Sequence, residues 1–164
     1  MAMILEGPLA DRDAWQATEC SVDLAMGIVG TRTAMLILRE AFYGTTRFDD
    51  FADRVGMSDA VAAARLKELV AAGVLRRQPY REPGSRTRAE YVLTDSGEAL
   101  LAAVLGLAQW ADHHQQPDGP PLELVDANGR PVRVAVVDAD GREVSLDDVH
   151  VRLPERRLAA MRRA

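Results

Sequence analysis

The chain has 164 residues and 48% hydrophobic content, enough for one domain plus an extension or for two very small domains. Its single cysteine, Cys20, excludes an internal disulfide framework and a cysteine-based zinc cluster within one subunit. The net charge is −5, no stretch is apolar enough to read as a membrane span, and no basic leader precedes an apolar run, so a cytoplasmic globular protein is expected.

In chain order, a short helix is expected around Leu9 to Ala17, anchored by Trp15. Ser21 and Asp23 suit the start of a helix through Val29, because a side-chain oxygen there satisfies free backbone N–H groups. Thr31 is placed to cap a helix from Arg32 to Tyr43, whose Met35-Leu36-Ile37-Leu38 run reads as buried on more than one side; Gly44 ends it. Two helices follow, Arg47 to Val55 and Ser58 to Ala72. In the second, Ala62, Leu66, Leu69, Val70 and Gly73 recur at helical spacing and turn one face to the core, with Ser58 as N-cap and Gly73 as stop.

Strands of roughly Val74–Tyr80 and Ala89–Leu93 then flank a tip from Arg81 to Arg88, in which Pro83-Gly84 makes the turn. Thr94-Asp95-Ser96-Gly97 opens one long helix to about His114, with Leu100, Leu101, Val104, Leu105, Leu107 and Trp110 apolar around much of its circumference. Pro117-Asp118-Gly119-Pro120-Pro121 reads as a linker. Beyond it Asn128-Gly129 and Asp140-Gly141 are tight-turn dipeptides, and a small antiparallel meander of three or four strands is expected, closing with Val149 to Leu153. No internal repeat is apparent. The fold class is α+β and mainly helical, divided into a dimerising arm over 1–19, a helix-turn-helix domain with a long helix over 20–116, and a β extension over 117–164.

A helix-turn-helix followed at once by an arginine-bearing hairpin is the order of a winged helix, which lays its second helix in the major groove of DNA. The acidic total does not oppose this, because placement decides: Arg76, Arg77, Arg81, Arg86 and Arg88 face only Glu82 and Glu90 across the hairpin. The outward face of the second helix presents Asp59, Ala60, Ala63, Ala64, Lys67 and Ala71, poor in the groups that read base edges. Shape, thymine-methyl contact and DNA deformability would then supply selectivity. Packing of that alanine face on another protein is the competing explanation. Ser58 and the free N–H groups beside it suit a phosphate, as do Arg47 ahead of the first helix and Arg81, Arg86 and Arg88 in the wing. Arg65 lies beside the core stripe and reads equally as a buried structural arginine paired with an acidic neighbour.

From Cys20 to His114 the chain resembles the HxlR-type transcriptional regulators, winged-helix proteins related to the MarR class. The resemblance rests on Cys20-Ser21-Val22-Asp23, Ile28-Val29-Gly30, Leu36-Ile37-Leu38-Arg39-Glu40, Arg47-Phe48-Asp49-Asp50-Phe51, Ala64-Arg65-Leu66-Lys67-Glu68-Leu69, Gly73-Val74-Leu75-Arg76-Arg77, Glu90-Tyr91-Val92-Leu93-Thr94 and Gln109-Trp110-Ala111. It implies a homodimer held by the N-terminal segment and the long C-terminal helix (Trp15, Leu101, Leu105 and Trp110), bound to double-stranded DNA at a palindromic operator. It also matches Arg32 to a basic residue of the family, while Thr33 stands where the family usually has tryptophan. Ala60, Ala63 and Ala64 stand where it usually offers polar side chains. Members can carry a reactive cysteine ahead of the first core helix, the position of Cys20, where a helix N-terminus favours a thiolate; a small buried apolar side chain is the alternative.

The adjacent His113 and His114 point in different directions on a helix and lack a matching ligand cluster, so no metal or other cofactor is expected. No Ser/His/Asp set, phosphate loop or carboxylate pair supports catalysis, so no enzyme is expected. The reading is a dimeric DNA-binding regulator, a repressor released by an electrophile or by a small apolar effector held between Trp15 and Trp110. A winged-helix module for protein contacts is the alternative.

Overall fold

A computed structural model describes residues 2–15, 19–81 and 87–161, the last two of these without side-chain detail. The chain divides into two compact units, one of residues 21–134 and one of residues 1–20 with 135–164. The larger unit holds helices α1 (Ser21–Val29), α2 (Arg32–Phe42), α3 (Phe48–Val55) and α4 (Asp59–Ala71), the antiparallel strands β2 (Leu75–Tyr80) and β3 (Arg88–Leu93), and helices α5 (Asp95–Glu98) and α6 (Leu101–Gln115). The smaller holds β1 (Ile4–Leu5), β4 (His150–Val151) and α7 (Glu155–Met161).

Local chemistry sets the helix ends of the larger unit. Thr31 and Ser58 each accept a backbone N–H, from Ala34 at 3.2 Å and from Val61 at 3.5 Å, which starts α2 and α4. Gly56 closes α3 at φ +69°, a left-handed conformation that costs glycine little. The core gathers Val29, Ala34, Ile37, Leu38, Phe51, Leu66, Leu69, Val74 and Leu75, so α2, α3 and α4 converge on β2. Each fully buried large side chain contributes about 1.5–3 kcal/mol relative to exposure. Beside this core lies buried Glu40, whose carboxylate accepts from the Arg39 guanidinium at 2.7 Å and from the Thr45 hydroxyl at 3.4 Å.

Four expectations need correction. The helix around Leu9 to Ala17 is absent from its described part: a single 3-10 turn spans Gly7–Leu9, turns follow, and 16–18 lie outside the described residues. Trp15 still serves locally, donating from Nε1 to the Leu9 carbonyl at 3.0 Å under the Arg12 guanidinium. The single helix from Thr94 is instead two, α5 and α6, with Ala99 and Leu100 in a turn between them. Gly97 lets the first helix pack closely: an added Cβ would stand 2.2 Å from the Val74 carbonyl oxygen.

The expected meander is replaced by two hairpin turns and a parallel pair. Val125 bridges Pro131 and Val137 bridges Glu143, whereas β4 pairs with β1 in parallel, Ile4 opposite His150. The two turns expose an internal repeat that the sequence does contain, Val125-Asp126-Ala127-Asn128-Gly129-Arg130 and Val137-Asp138-Ala139-Asp140-Gly141-Arg142. Asp126 Oδ1 accepts from the N–H of Asn128 and Arg130, and Asp138 Oδ1 from those of Asp140 and Arg142, so one aspartate organises each turn. The first hairpin is fastened to α6 by the Gln109 side-chain amide, which donates to Val132 O at 2.9 Å and accepts from Val134 N–H at 2.8 Å. No single helix among the described residues is long and apolar enough to cross a membrane; α1 and α2 qualify only together, bent by 79°.

Candidate nucleic-acid interface

The helix-turn-helix is α3, the Gly56–Ser58 turn and α4. Because Ala62, Leu66 and Leu69 are buried, the opposite face of α4 is exposed, and it carries Ser58, Asp59, Ala60, Ala63, Ala64 and Lys67 together. Val61, 41% exposed, borders them and adds a methyl-bearing contact that the sequence pattern did not single out. Its signal was available: position 61 precedes the buried stripe by one residue and falls outside it. Arg65 pairs with Glu68 at 2.5 Å on the same helix, as an ion pair open to water rather than a buried one. The face therefore offers methyl groups, one ammonium and one carboxylate, a set suited to thymine methyls, phosphate and a cytosine amino group.

The wing sits against the start of α3. Arg47 forms an isolated bridge with Glu90, and the Thr46 carbonyl accepts the Tyr91 N–H at 2.7 Å. Arg47 also lays its guanidinium 5.2 Å from the Tyr80 ring centroid. A recess there is lined by Arg47, Arg77 and Arg88 with Phe48, Asp49 and Tyr80. The structure thus unites Arg47 with Arg88, and Arg77 joins them although it was counted only as charge. Two consecutive arginines on a strand must point to opposite faces, which was the missed clue. Glu90 fixes the base of the wing: the Gln78 amide donates to it at 2.8 Å, and the Gln78 and Thr46 hydrogen bonds, then Arg47 and Arg76, hold its carboxyl below the usual range. Arg81 is exposed at the end of β2, while Arg86 lies outside the described residues.

Arg32 is exposed in the first turn of α2. Cys20 is partly exposed immediately before α1. On α6, Leu101 and Leu105 face a groove against α2, whereas Trp110 is 56% exposed with its ring 5.7 Å from that of His114. At about 100° per residue, Trp110 stands roughly opposite Leu101, so those residues do not share one face. Among the described residues no group of three or more His, Cys, Asp or Glu could hold a metal ion.

The HxlR-like helix-turn-helix family matches residues 28–119. A helix-turn-helix transcriptional regulator of Mycobacterium tuberculosis is 42% identical over 105 residues, covering 63% of this chain; the chain spans 65% of that relative's length. The regulator YodB of Bacillus subtilis is 31% identical over 97 residues, 58% of this chain and 85% of its own. Among solved structures, that of PA1607, a candidate transcription factor, superposes with a TM-score of 0.72 at 34% identity, covering 82% of this chain and 94% of its own. The reduced form of YodB gives 0.51 at 30% identity, over 61% and 98%. With α4 presented beside an arginine-lined wing, the chain belongs to the HxlR-like helix-turn-helix family and has the winged helix-turn-helix of a DNA-binding transcriptional regulator.

Proposed function

We propose that the protein is a homodimeric repressor that binds a palindromic operator in double-stranded DNA. The exposed α4 face flanked by Arg47, Arg77 and Arg88 carries this reading. Lys67 and the wing arginines neutralise phosphates and supply most of the affinity, so binding weakens steeply with salt. Base reading by Ala60, Val61, Ala63 and Ala64 is limited to methyl contact and shape, and operator choice leans on DNA deformability. Two half-sites lie about one helical turn apart.

Dimerisation is supported by the apolar surface of α1 and α6. Val22, Leu24, Met26 and Ile28 are 45–68% exposed on α1, and Trp110 is 56% exposed on α6. A helix apolar on all sides belongs in an interior, and a second copy supplies one. Release follows from an effector, either an electrophile at partly exposed Cys20 or a small apolar ligand. The solved reduced form of YodB, at 30% identity, favours keeping the cysteine reading. Genome-wide mapping of bound sites, followed by fluorescence anisotropy on a recovered site, tests the proposal. A palindrome bound with strong salt dependence is expected. Absence of any DNA binding at low salt would overturn it in favour of a protein-interaction module.

A further inference from the structure

A cavity of 390 Å³ opens between α2, α6 and the segment Pro121–Leu124. This volume lies within the range of pockets that hold drug-sized molecules. Its walls are mostly apolar, contributed by Met35, Leu36 and Phe42 of α2, Leu105 of α6, and Leu122 and Leu124. Two charged side chains also reach it, Arg39 and Asp112. They are not equivalent. The Arg39 guanidinium is already matched by the buried Glu40 carboxylate, with Nε at 3.1 Å and Nη2 at 2.7 Å from the same oxygen. Asp112 is met by a neutral group, the Gln116 amide at 3.1 Å, so its charge stays uncompensated. With Arg39 offset by Glu40, which lies outside the lining, Asp112 is left as the unmatched charge on an apolar and aromatic lining, Tyr43 being the second ring.

We propose that this cavity binds a lipophilic monocation, an aromatic or quaternary ammonium compound, with its apolar body against the α2 and α6 side chains and its charge toward Asp112. The rings of Phe42 and Tyr43 suit the same class, since aromatic faces attract cations that water holds weakly. An aromatic carboxylate of equal size would meet the Asp112 charge, while the charge of Arg39 is already offset by Glu40. As the effector seat of the repressor, the site rests on the function proposed above; as a binding site it does not, because its test contains no DNA. The other face of α2 packs on α3 and α4, so an occupant that shifts α2 also biases the helix-turn-helix.

Isothermal titration of the full chain with naphthylmethyl-trimethylammonium, naphthylacetate and naphthylmethanol tests the inference. The cation is expected to bind once per chain and best of the three. Asp112→Asn should weaken the cation roughly five- to tenfold while leaving the neutral probe unchanged. Ala108→Phe, which fills the cavity from α6, should abolish binding of all three with the circular dichroism of the parent retained. Preference for the carboxylate, cation binding insensitive to Asp112→Asn, or no binding of any probe would overturn the proposal. Sedimentation separates the remaining occupant: if Ala108→Phe turns a dimer into a monomer, a second copy fills the groove and the ligand reading falls.

Discussion

Gly97 provides a test in which helix propensity and packing predict opposite signs. It lies inside α5, where alanine would ordinarily stabilise by about 1 kcal/mol. A Cβ there would stand 2.2 Å from the Val74 carbonyl oxygen and 3.0 Å from Leu93 Cδ2, and a backbone atom cannot step aside by changing rotamer. The same carbonyl accepts from Thr94 N–H at 3.1 Å, and the Thr94 hydroxyl shares its one proton between this oxygen and that of Gly73, so moving α5 away endangers both contacts. Losing two bonds costs about 2 kcal/mol and overpacking about 1–3, against the propensity gain of about 1, so Gly97→Ala should destabilise by about 2–4 kcal/mol. Gly106 on α6 is the control: its added Cβ would meet Val134 Cγ1 at 3.8 Å, an ordinary contact, so Gly106→Ala should stabilise by about 0.5–1 kcal/mol. Urea unfolding followed by circular dichroism measures both, with an unchanged slope expected. A Gly97→Ala midpoint equal to or above that of the parent would refute the claim that α5 lies too close to the Val74 carbonyl for a side chain.

The remaining predictions concern the interface and the signal. Arg47→Ala and Arg88→Ala should each weaken DNA binding alike on all sequences and lower the slope of log affinity against log salt by about one, read by anisotropy at several salt concentrations. A change in sequence preference instead would make these arginines base readers. Cys20→Ser should leave DNA binding intact and abolish any response to electrophiles; a response that survives removes Cys20 as sensor. Glu90 ionises more readily in the fold than in the unfolded chain, so its tie to Gln78 and Thr46 is intact above the usual carboxylate range and is lost as pH falls through the lowered value. The protection of the β2–β3 amides, corrected for the intrinsic pH dependence of exchange, should therefore fall on acidification, and Glu90→Gln should flatten that dependence.

Much of the helix-turn-helix was legible because its determinants are local. Ser58 and Thr31 cap with their own side chains, Gly44 and Gly73 stop helices by conformation alone, and the spacing of Ala62, Leu66 and Leu69 fixes which face of α4 is inward. The outward face, and hence the alanine-rich reading surface, follows by subtraction. The Asp126 and Asp138 turns were equally local: their segments differ only at Asn128 and Asp140, and the matching hydrogen bonds show what the repeat builds.

What the sequence determined by itself was therefore the order of helices and wing, the family resemblance and the concentration of arginines beside β2 and β3. Tertiary structure decided the rest. The need for glycine at position 97 comes from the Val74 carbonyl, far from it in sequence. The pairing of Ile4 with His150 joins the two ends of the chain, and no short-range pattern encodes such a partner. The union of Arg77 with Arg47 and Arg88, and the neutralisation of Arg39 that leaves Asp112 as the charge of the α2–α6 cavity, arise only when separate elements are brought together. Periodicity tells which side of an element is buried; contact between elements decides what it is buried against, and so what chemistry is left at the surface.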